Sequence, residues 1–368
     1  MELPQYVDPK DKIPYKIKNT GDWFLSSDHF HEWRDSKSSR LLWLSGNAGC
    51  GKSVLVKHLT ENLSSGTVCY FFFEAEPDGQ GGLINALRRI LFQLFSQDNI
   101  PLPSKSQGLL NTKMTTTPWH FEHLWQLLLQ TAKQRGVGEI VCLLDAVDEC
   151  EPEEWTALSE ALQRLYESKE CEAFNLKFLL TSRPYNRIHS RLRDLFNDSR
   201  EHAVHVRGEC DPLRSKISHE IGIFVNSQIQ SHAPHLGPDT RRLLRDALLS
   251  GAQMTYLRAH HTLSAIKRGF KVSRDHIAEV AWQLPGDLAS AYNKILHKSD
   301  HVDKAKCVVQ IVVAAVEPLT VAEVASVLAA MSENDCFDID FENDFIIREI
   351  CGLVTVVDST VRLIDETA

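Results

Sequence analysis

The stretch Gly46-Asn47-Ala48-Gly49-Cys50-Gly51-Lys52-Ser53 fits the pattern G-x-x-x-x-G-K-[ST]. The apolar run Leu41-Leu42-Trp43-Leu44 precedes it, and apolar residues at helical spacing follow it until Gly66. A strand, a glycine-rich loop and a helix in this order form the context that a phosphate-binding P-loop needs. The sequence therefore predicts an α/β fold with a polyphosphate site at the end of its first strand.

The chemistry of this loop follows from the residue types. Glycines let the backbone wrap closely around an anion, and the helix N-terminus adds partial positive charge. We expect Lys52 to reach the β- and γ-phosphates and the Ser53 hydroxyl to hold Mg²⁺. The predicted nucleotide contacts are Gly46, Asn47, Ala48, Gly49, Cys50, Gly51, Lys52, Ser53 and Val54.

An acidic group follows a second apolar strand. The run 139–144 is followed by Asp145, Asp148 and Glu149. Ligands bind at the carboxyl ends of strands in open parallel sheets, so we assign Asp145 to Mg²⁺ together with Ser53. Either Asp148 or Glu149 can orient or deprotonate an attacking water, and we favour Glu149 as the base with Asp148 as its support.

The fourth predicted strand runs into Thr181-Ser182-Arg183-Pro184. An arginine at this edge can sense the γ-phosphate and balance the charge that develops during hydrolysis. Arg183 joins Lys52, Asp148 and Glu149 as a predicted catalytic residue. A plain surface arginine is the alternative interpretation.

The order of predicted elements divides the chain into sections. Residues 1–38 read as a polar lead-in with a short helix, and 39–208 as a P-loop NTPase domain with a five-stranded parallel sheet. Only helices are predicted for the helical domain at 209–285. Residues 286–368 show helices and then a hairpin at 353–364, which suggests a winged-helix-like domain; an unrelated helical bundle with a small hairpin is the alternative. The predicted strands are 41–44, 67–73, 139–144, 176–180 and 203–206.

Composition limits the kinds of binding partner and the cellular compartment that we expect. The 368 residues carry 40 basic and 49 acidic side chains, a net charge of −9, which disfavours nonspecific binding to nucleic acid or anionic lipid. The apolar runs are too short to span a bilayer. The nine cysteines show no C-x-x-C pair, and no secretory signal opens the chain. We expect a cytoplasmic protein with nucleotide and Mg²⁺ as its ligands, ATP being favoured over GTP.

Three blocks resemble a known family. The segments 43–53, 144–150 and 177–184 are similar to NACHT-type STAND NTPases, above all to the filamentous-fungal group related to the nephrocystin-type P-loop domain. The segments 19–25, 68–73, 318–320 and 351–353 match as well. A small residue after the magnesium-binding aspartate, here Ala146, resembles the mark that separates NACHT proteins from other P-loop groups.

The resemblance implies a nucleotide-operated switch. Such proteins are often intracellular receptors for nonself recognition and programmed cell death. Their ADP form is closed by the helical and winged-helix domains, and exchange for ATP permits homo-oligomerisation. Relatives carry effector and repeat domains that this sequence lacks, so we expect a truncated chain. Asp365 stands where relatives have a histidine that contacts the diphosphate, and Arg258 replaces a large apolar residue.

Three functions remain open at this point. The first is a signalling switch with slow hydrolysis to the diphosphate. The second is a constitutive P-loop ATPase or a small-molecule kinase, although the acidic pair favours water as the acceptor. The third is a truncated interaction module without catalysis, suggested by Asp365 and the missing flanks.

Overall fold

The protein is described from a computed structural model. The structure describes most of the chain between residues 9 and 249, and shorter parts of the remainder. The described residues are 9–64, 66–73, 82–96, 120–134, 137–198, 202–210, 213–232, 237–249, 255, 256, 259, 296, 302–315, 317, 319–331, 354–357 and 360–363.

Five parallel strands form the central sheet in the order β2-β3-β4-β1-β5. Their bounds are Leu41–Ser45 (β1), Thr67–Phe72 (β2), Ile140–Asp145 (β3), Leu176–Ser182 (β4) and Ala203–Arg207 (β5). All five predicted strands are confirmed. Four of them run one or two residues further than predicted, because ladder hydrogen bonding continues into the polar residues at their carboxyl ends.

Both faces of the sheet are buried, as β1 illustrates. Leu41 and Trp43 point into one apolar cluster, whereas Leu42 and Leu44 point into the other. Successive side chains of a strand alternate between faces, so a strand covered on both sides must be apolar throughout. This requirement explains the uninterrupted apolar runs of the sequence.

Helices cover the two faces in sets. The first cluster receives the helices Leu83–Phe95 (α5), Phe121–Ala132 (α6), Pro152–Glu167 (α7) and Asn186–Asp198 (α8). The second receives Asp22–Leu25 (α2), Asp28–Asp35 (α3), Lys52–Asn62 (α4), Leu213–His232 (α9) and Pro238–Leu249 (α10). A short helix, Pro9–Lys12 (α1), precedes them.

The lead-in contains more structure than the single short helix expected there. Ser27 separates α2 from α3, and its side chain accepts a hydrogen bond from the Phe30 amide at 3.2 Å. A serine in this position caps a new helix, so the predicted element is divided in two.

The last section contains two described helices and a hairpin. These are Val302–Ala314 (α11), Val321–Met331 (α12) and the antiparallel strands Val354–Val357 (β6) and Thr360–Leu363 (β7). A capping box opens α12, since Thr320 Oγ1 accepts from the Glu323 amide at 3.2 Å and Glu323 accepts from the Thr320 amide at 2.7 Å.

Parts of the predicted helical and winged-helix-like domains fall outside the described residues. Arg258 and Asp365 are among them. The assignment of a winged helix and the domain boundaries at 208 and 285 stay predictions.

Candidate functional site

The predicted P-loop lies between β1 and α4, at the carboxyl edge of the sheet. Gly49 and Gly51 adopt positive φ angles of 70° and 94°, a backbone region that L side chains rarely enter. A Cβ on Gly46 would lie 2.9 Å from the Cys50 sulfur, so that side chain would have to move. The loop is therefore tightly wound, and its conformation favours glycine at positions 49 and 51.

The Lys52 ammonium lies within this loop. Its Nζ donates to the carbonyl oxygens of Gly46 at 2.6 Å and Asn47 at 2.9 Å. Both acceptors are neutral, so an anion in the loop would compete well for the same donor. Lys52 is thus held at the place where a phosphate group would sit.

Asp145 lies at the end of β3 and is only 3% exposed. Thr181 on β4 donates its hydroxyl to Asp145 Oδ1 at 2.5 Å, and the Ser53 hydroxyl is hydrogen-bonded to the same carboxyl group. Burial raises the pKa of Asp145, and these two hydroxyls with Lys52 oppose that rise. The structure therefore brings together the two predicted metal ligands, a hydroxyl and a carboxylate, which are oxygen donors of the kind that Mg²⁺ prefers.

The backbone turns sharply directly after Asp145. Ala146 has φ 59° and ψ 49°, the left-handed region, and its amide donates to Thr181 Oγ1 at 2.9 Å. A single helical turn, Val147–Glu149, follows. This turn directs Asp148 and Glu149 back toward the P-loop, and it gives a physical reason for a small residue at position 146.

Arg183 connects the two acidic side chains. Its amide donates to Asp148 Oδ1 at 3.1 Å, and its guanidinium lies 3.8 Å from Asp148 Oδ2 and 4.0 Å from Glu149 Oε1. Burial lowers the pKa of Arg183, but Tyr185, Asp148 and Glu149 outweigh burial and raise it. Asp148 thus supports the end of β4, while Glu149 is 17% exposed and faces the cavity.

Tyr256, which follows α10 in the chain, touches the loop. The Tyr256 amide donates to the Gly49 carbonyl at 2.9 Å, and its ring packs edge-on against Phe224 of α9, with centroids 5.2 Å apart. A Cβ on Gly51 would lie 3.3 Å from that ring. Tyr256 therefore contacts both the loop and α9.

These groups surround one cavity of about 410 Å³, a size typical of small-molecule sites. Residues 48–55 line it together with the charged side chains of Asp148, Glu149 and Arg183. Lead-in residues between 13 and 23, with Phe224 and Tyr256, add a largely apolar part of the lining. The cavity thus combines charged groups with apolar surface, as a nucleotide site needs.

Comparison with known proteins agrees with this geometry. Residues 19–183 match the family model described as "Nephrocystin 3, N-terminal". This segment is therefore similar to the nephrocystin-type P-loop domain. The vegetative incompatibility protein HET-E-1 of Podospora anserina is 26% identical over 367 residues, which cover 96% of this chain but 26% of HET-E-1.

Solved structures share the fold of the nephrocystin-like domain and its helical extension. A Walker-type ATPase of Pyrococcus abyssi superposes with a TM-score of 0.58 at 14% identity, covering 92% of this chain and 91% of that one. The ORC2 protein of Aeropyrum pernix, solved in complexes with ADPNP and ADP, gives 0.51 at 14% identity, with 98% and 91% covered. The fold is that of a P-loop NTPase.

Among the described segments, none forms a helix that is both long and apolar enough to cross a bilayer.

Sequence reasoning missed several residues of this site. Tyr185 accepts from the Arg183 guanidinium at 3.0 Å, and Thr181 is the hydroxyl partner of Asp145. The signal that could have identified them is their position directly after the apolar part of β4, in the run 181–185. No sequence pattern pointed to Tyr256 or to the lead-in residues that line the cavity, because their contacts join residues far apart in the sequence.

Proposed function

We propose that this chain is a nucleotide-operated switch that binds ATP or GTP with Mg²⁺, hydrolyses it slowly, and changes the packing of its helical section accordingly. The observation that supports this most is the meeting of three parts at one cavity: the P-loop, the acidic turn with Arg183, and Tyr256. ATP is the favoured nucleotide, as in the sequence-based prediction.

Each residue has a role in this proposal. Loop amides and Lys52 bind the β- and γ-phosphates, while Ser53 and Asp145 hold the metal. When bound, Mg²⁺ supplies positive charge that offsets the charge developing on the phosphate oxygens. Glu149 accepts the proton of the attacking water, and Arg183 stabilises negative charge.

The switch itself depends on the contact between Gly49 and Tyr256. When the P-loop exchanges one bound nucleotide for another, the Gly49 carbonyl shifts. Tyr256, which contacts both Gly49 and Phe224, transmits that shift to α9. To move the population from mostly closed to mostly open, ATP and ADP must differ by about 5 kcal/mol in their preference for the two states. Homo-oligomerisation in the triphosphate state and a role in nonself recognition or cell death belong to this proposal. The name of HET-E-1 supports the second of them.

Differential scanning fluorimetry with ADP, ATP and Mg²⁺ tests the proposal. A nucleotide at one hundred times its Kd stabilises the folded protein by about 2.7 kcal/mol. Folded protein that neither nucleotide stabilises would refute nucleotide binding. Turnover separates the alternatives: many ATP per second indicate a constitutive ATPase, and binding without any hydrolysis indicates a non-catalytic module.

A further inference from the structure

The lead-in forms a strap that lines part of the cavity. We define the strap as residues 13–23. Its centre is a tight turn, in which the Thr20 amide and hydroxyl both donate to the Ile17 carbonyl, at 3.2 and 2.8 Å. Asn19 and Gly21 adopt positive φ angles of 62° and 77°. The strap thus has a defined shape, yet it contains only the short helix α2 to stabilise it.

One end of the strap is attached to the P-loop helix. Lys57 of α4 is 3% exposed, and its Nζ donates to the Ile13 carbonyl at 2.5 Å. The same ammonium lies 3.8 Å from the centroid of the Tyr15 ring. A buried ammonium needs such partners, so Lys57 and this end of the strap depend on each other.

The other end is attached to the helical section. Glu220 of α9 is 6% exposed, and its carboxylate accepts from the Trp23 amide at 3.0 Å and from the Gly21 amide. Burial raises the pKa of Glu220, and the hydrogen bonds from the strap amides oppose that rise. Glu220 and Gly21 are 199 residues apart in sequence, so this contact joins two distant parts of the chain.

We propose that Lys57 and Glu220 are positioning residues that hold the strap against the base of the bound nucleotide, and that Glu220 thereby couples α9 to base binding. The cavity-lining strap residues are largely apolar, among them Ile13, Pro14 and Ile17, and they share the cavity with the predicted phosphate-binding loop residues. Neither anchor itself lines the cavity. This inference rests on the proposed function, because it assumes that the cavity binds a nucleotide.

Glu220→Gln and Lys57→Met test the anchors while keeping side-chain size. The glutamine amide retains one acceptor oxygen and turns a donor toward the second strap amide; methionine retains the apolar stem of Lys57 without its ammonium. We expect the Kd for ADP, measured by calorimetry with Mg²⁺, to rise about tenfold in each variant. The Kd for inorganic tripolyphosphate, which has no base, should stay within about twofold.

Matched controls use exposed residues of the same types. Glu160→Gln on α7 and Lys216→Met on α9 lie outside the cavity and should leave both constants unchanged. Lys57→Arg keeps the charge and donors and should restore most of the ADP affinity.

The outcomes distinguish the role of the two anchors from nucleotide binding itself. Equal weakening of ADP and tripolyphosphate, or no change in either, overturns the role of the anchors. If the unaltered chain binds neither ligand, the proposed function itself fails.

Hydrogen exchange of the unaltered chain gives a second test that needs no variant. The Gly21 and Trp23 amides should exchange more slowly with ADP than with tripolyphosphate. Equal exchange with both ligands would refute the coupling even if a variant failed to fold.

Discussion

At the residue scale, Ala146 shows how the backbone shapes the acidic end of the cavity. A non-glycine residue in the left-handed region costs roughly 1–2 kcal/mol, and a β-branched side chain fits it worst. We therefore expect Ala146→Val to lower the free energy of unfolding by about 1–2 kcal/mol, measured by urea denaturation. Ala146→Gly, which fits this conformation freely, is the control. Equal stability of the valine variant would show that the turn relaxes.

Lys52 carries the predicted phosphate contact. Lys52→Ala removes the only ammonium that donates to the Gly46 and Asn47 carbonyls in the described part of the chain. We expect triphosphate binding to be lost in calorimetry, while exposed Lys216→Ala binds as the parent does. Unchanged affinity in Lys52→Ala would disprove its assigned role.

Glu149 is the predicted base. Glu149→Gln keeps its shape and removes its basicity, so hydrolysis should slow by roughly a hundredfold or more while binding is preserved. Phosphate release under single-turnover conditions measures this, with Glu160→Gln as the control. Normal hydrolysis by the Glu149 variant would transfer the role to Asp148 or to another group.

At this scale, the sequence predicts the chemical role of a residue better than it predicts the residue's hydrogen-bond partners. Ser53 and Asp145 could be paired from their motifs, because each follows an apolar strand at the same sheet edge. That Asp148 also accepts a hydrogen bond from the Arg183 amide depends on the turn at Ala146. A left-handed alanine has no sequence signature, so this arrangement could not be predicted.

At the element scale, the opposite edge of the sheet contains a buried ion pair. Lys177 at the start of β4 is fully buried, pairs with Glu139 just before β3, and donates to the Arg34 carbonyl at 2.6 Å. Removing one partner leaves a buried charge without compensation. Glu139→Gln should therefore destabilise the fold by about 3 kcal/mol, measured by denaturant unfolding.

A double variant separates this charge effect from packing. Lys177→Met combined with Glu139→Gln removes the buried charge and should recover much of the lost stability. A double variant less stable than Glu139→Gln would show that the lysine stabilises the sheet mainly through Arg34.

Elements themselves were predictable where the apolar pattern was strong. The five strands and helices α5 and α6 follow from uninterrupted runs and helical spacing. The strand order was not predictable, since β1 pairs with β4 and β5 rather than with its neighbours in sequence. Pairing partners depend on which helices cover which face, and no single segment encodes that choice.

At the scale of the whole molecule, Tyr256 tests the switch. Tyr256→Ala keeps the backbone hydrogen bond to Gly49 and removes the ring packed on Phe224, a contact worth about 1 kcal/mol. Under the proposed function the ADP form is the closed one. The Kd for ADP should therefore rise about fivefold, and the Kd for ATP should change less.

Calorimetry with both nucleotides measures this difference. Tyr185→Phe removes the hydroxyl that accepts from the Arg183 guanidinium and is the comparison variant for effects that act through Arg183. An equal change for ADP and ATP in Tyr256→Ala would mean that Tyr256 only packs against the loop and does not distinguish the states.

The strand order also has a consequence for synthesis on the ribosome. β1 is apolar on both faces, and both of its neighbours are translated more than a hundred residues after it. Until β4 leaves the exit tunnel, the backbone hydrogen-bonding groups of β1 are unpaired and its apolar side chains are exposed. The P-loop that follows β1 then has no folded sheet to hold it in a ligand-binding conformation. Chains released by premature termination before residue 176 should therefore aggregate or occupy chaperones, and added nucleotide would not rescue them.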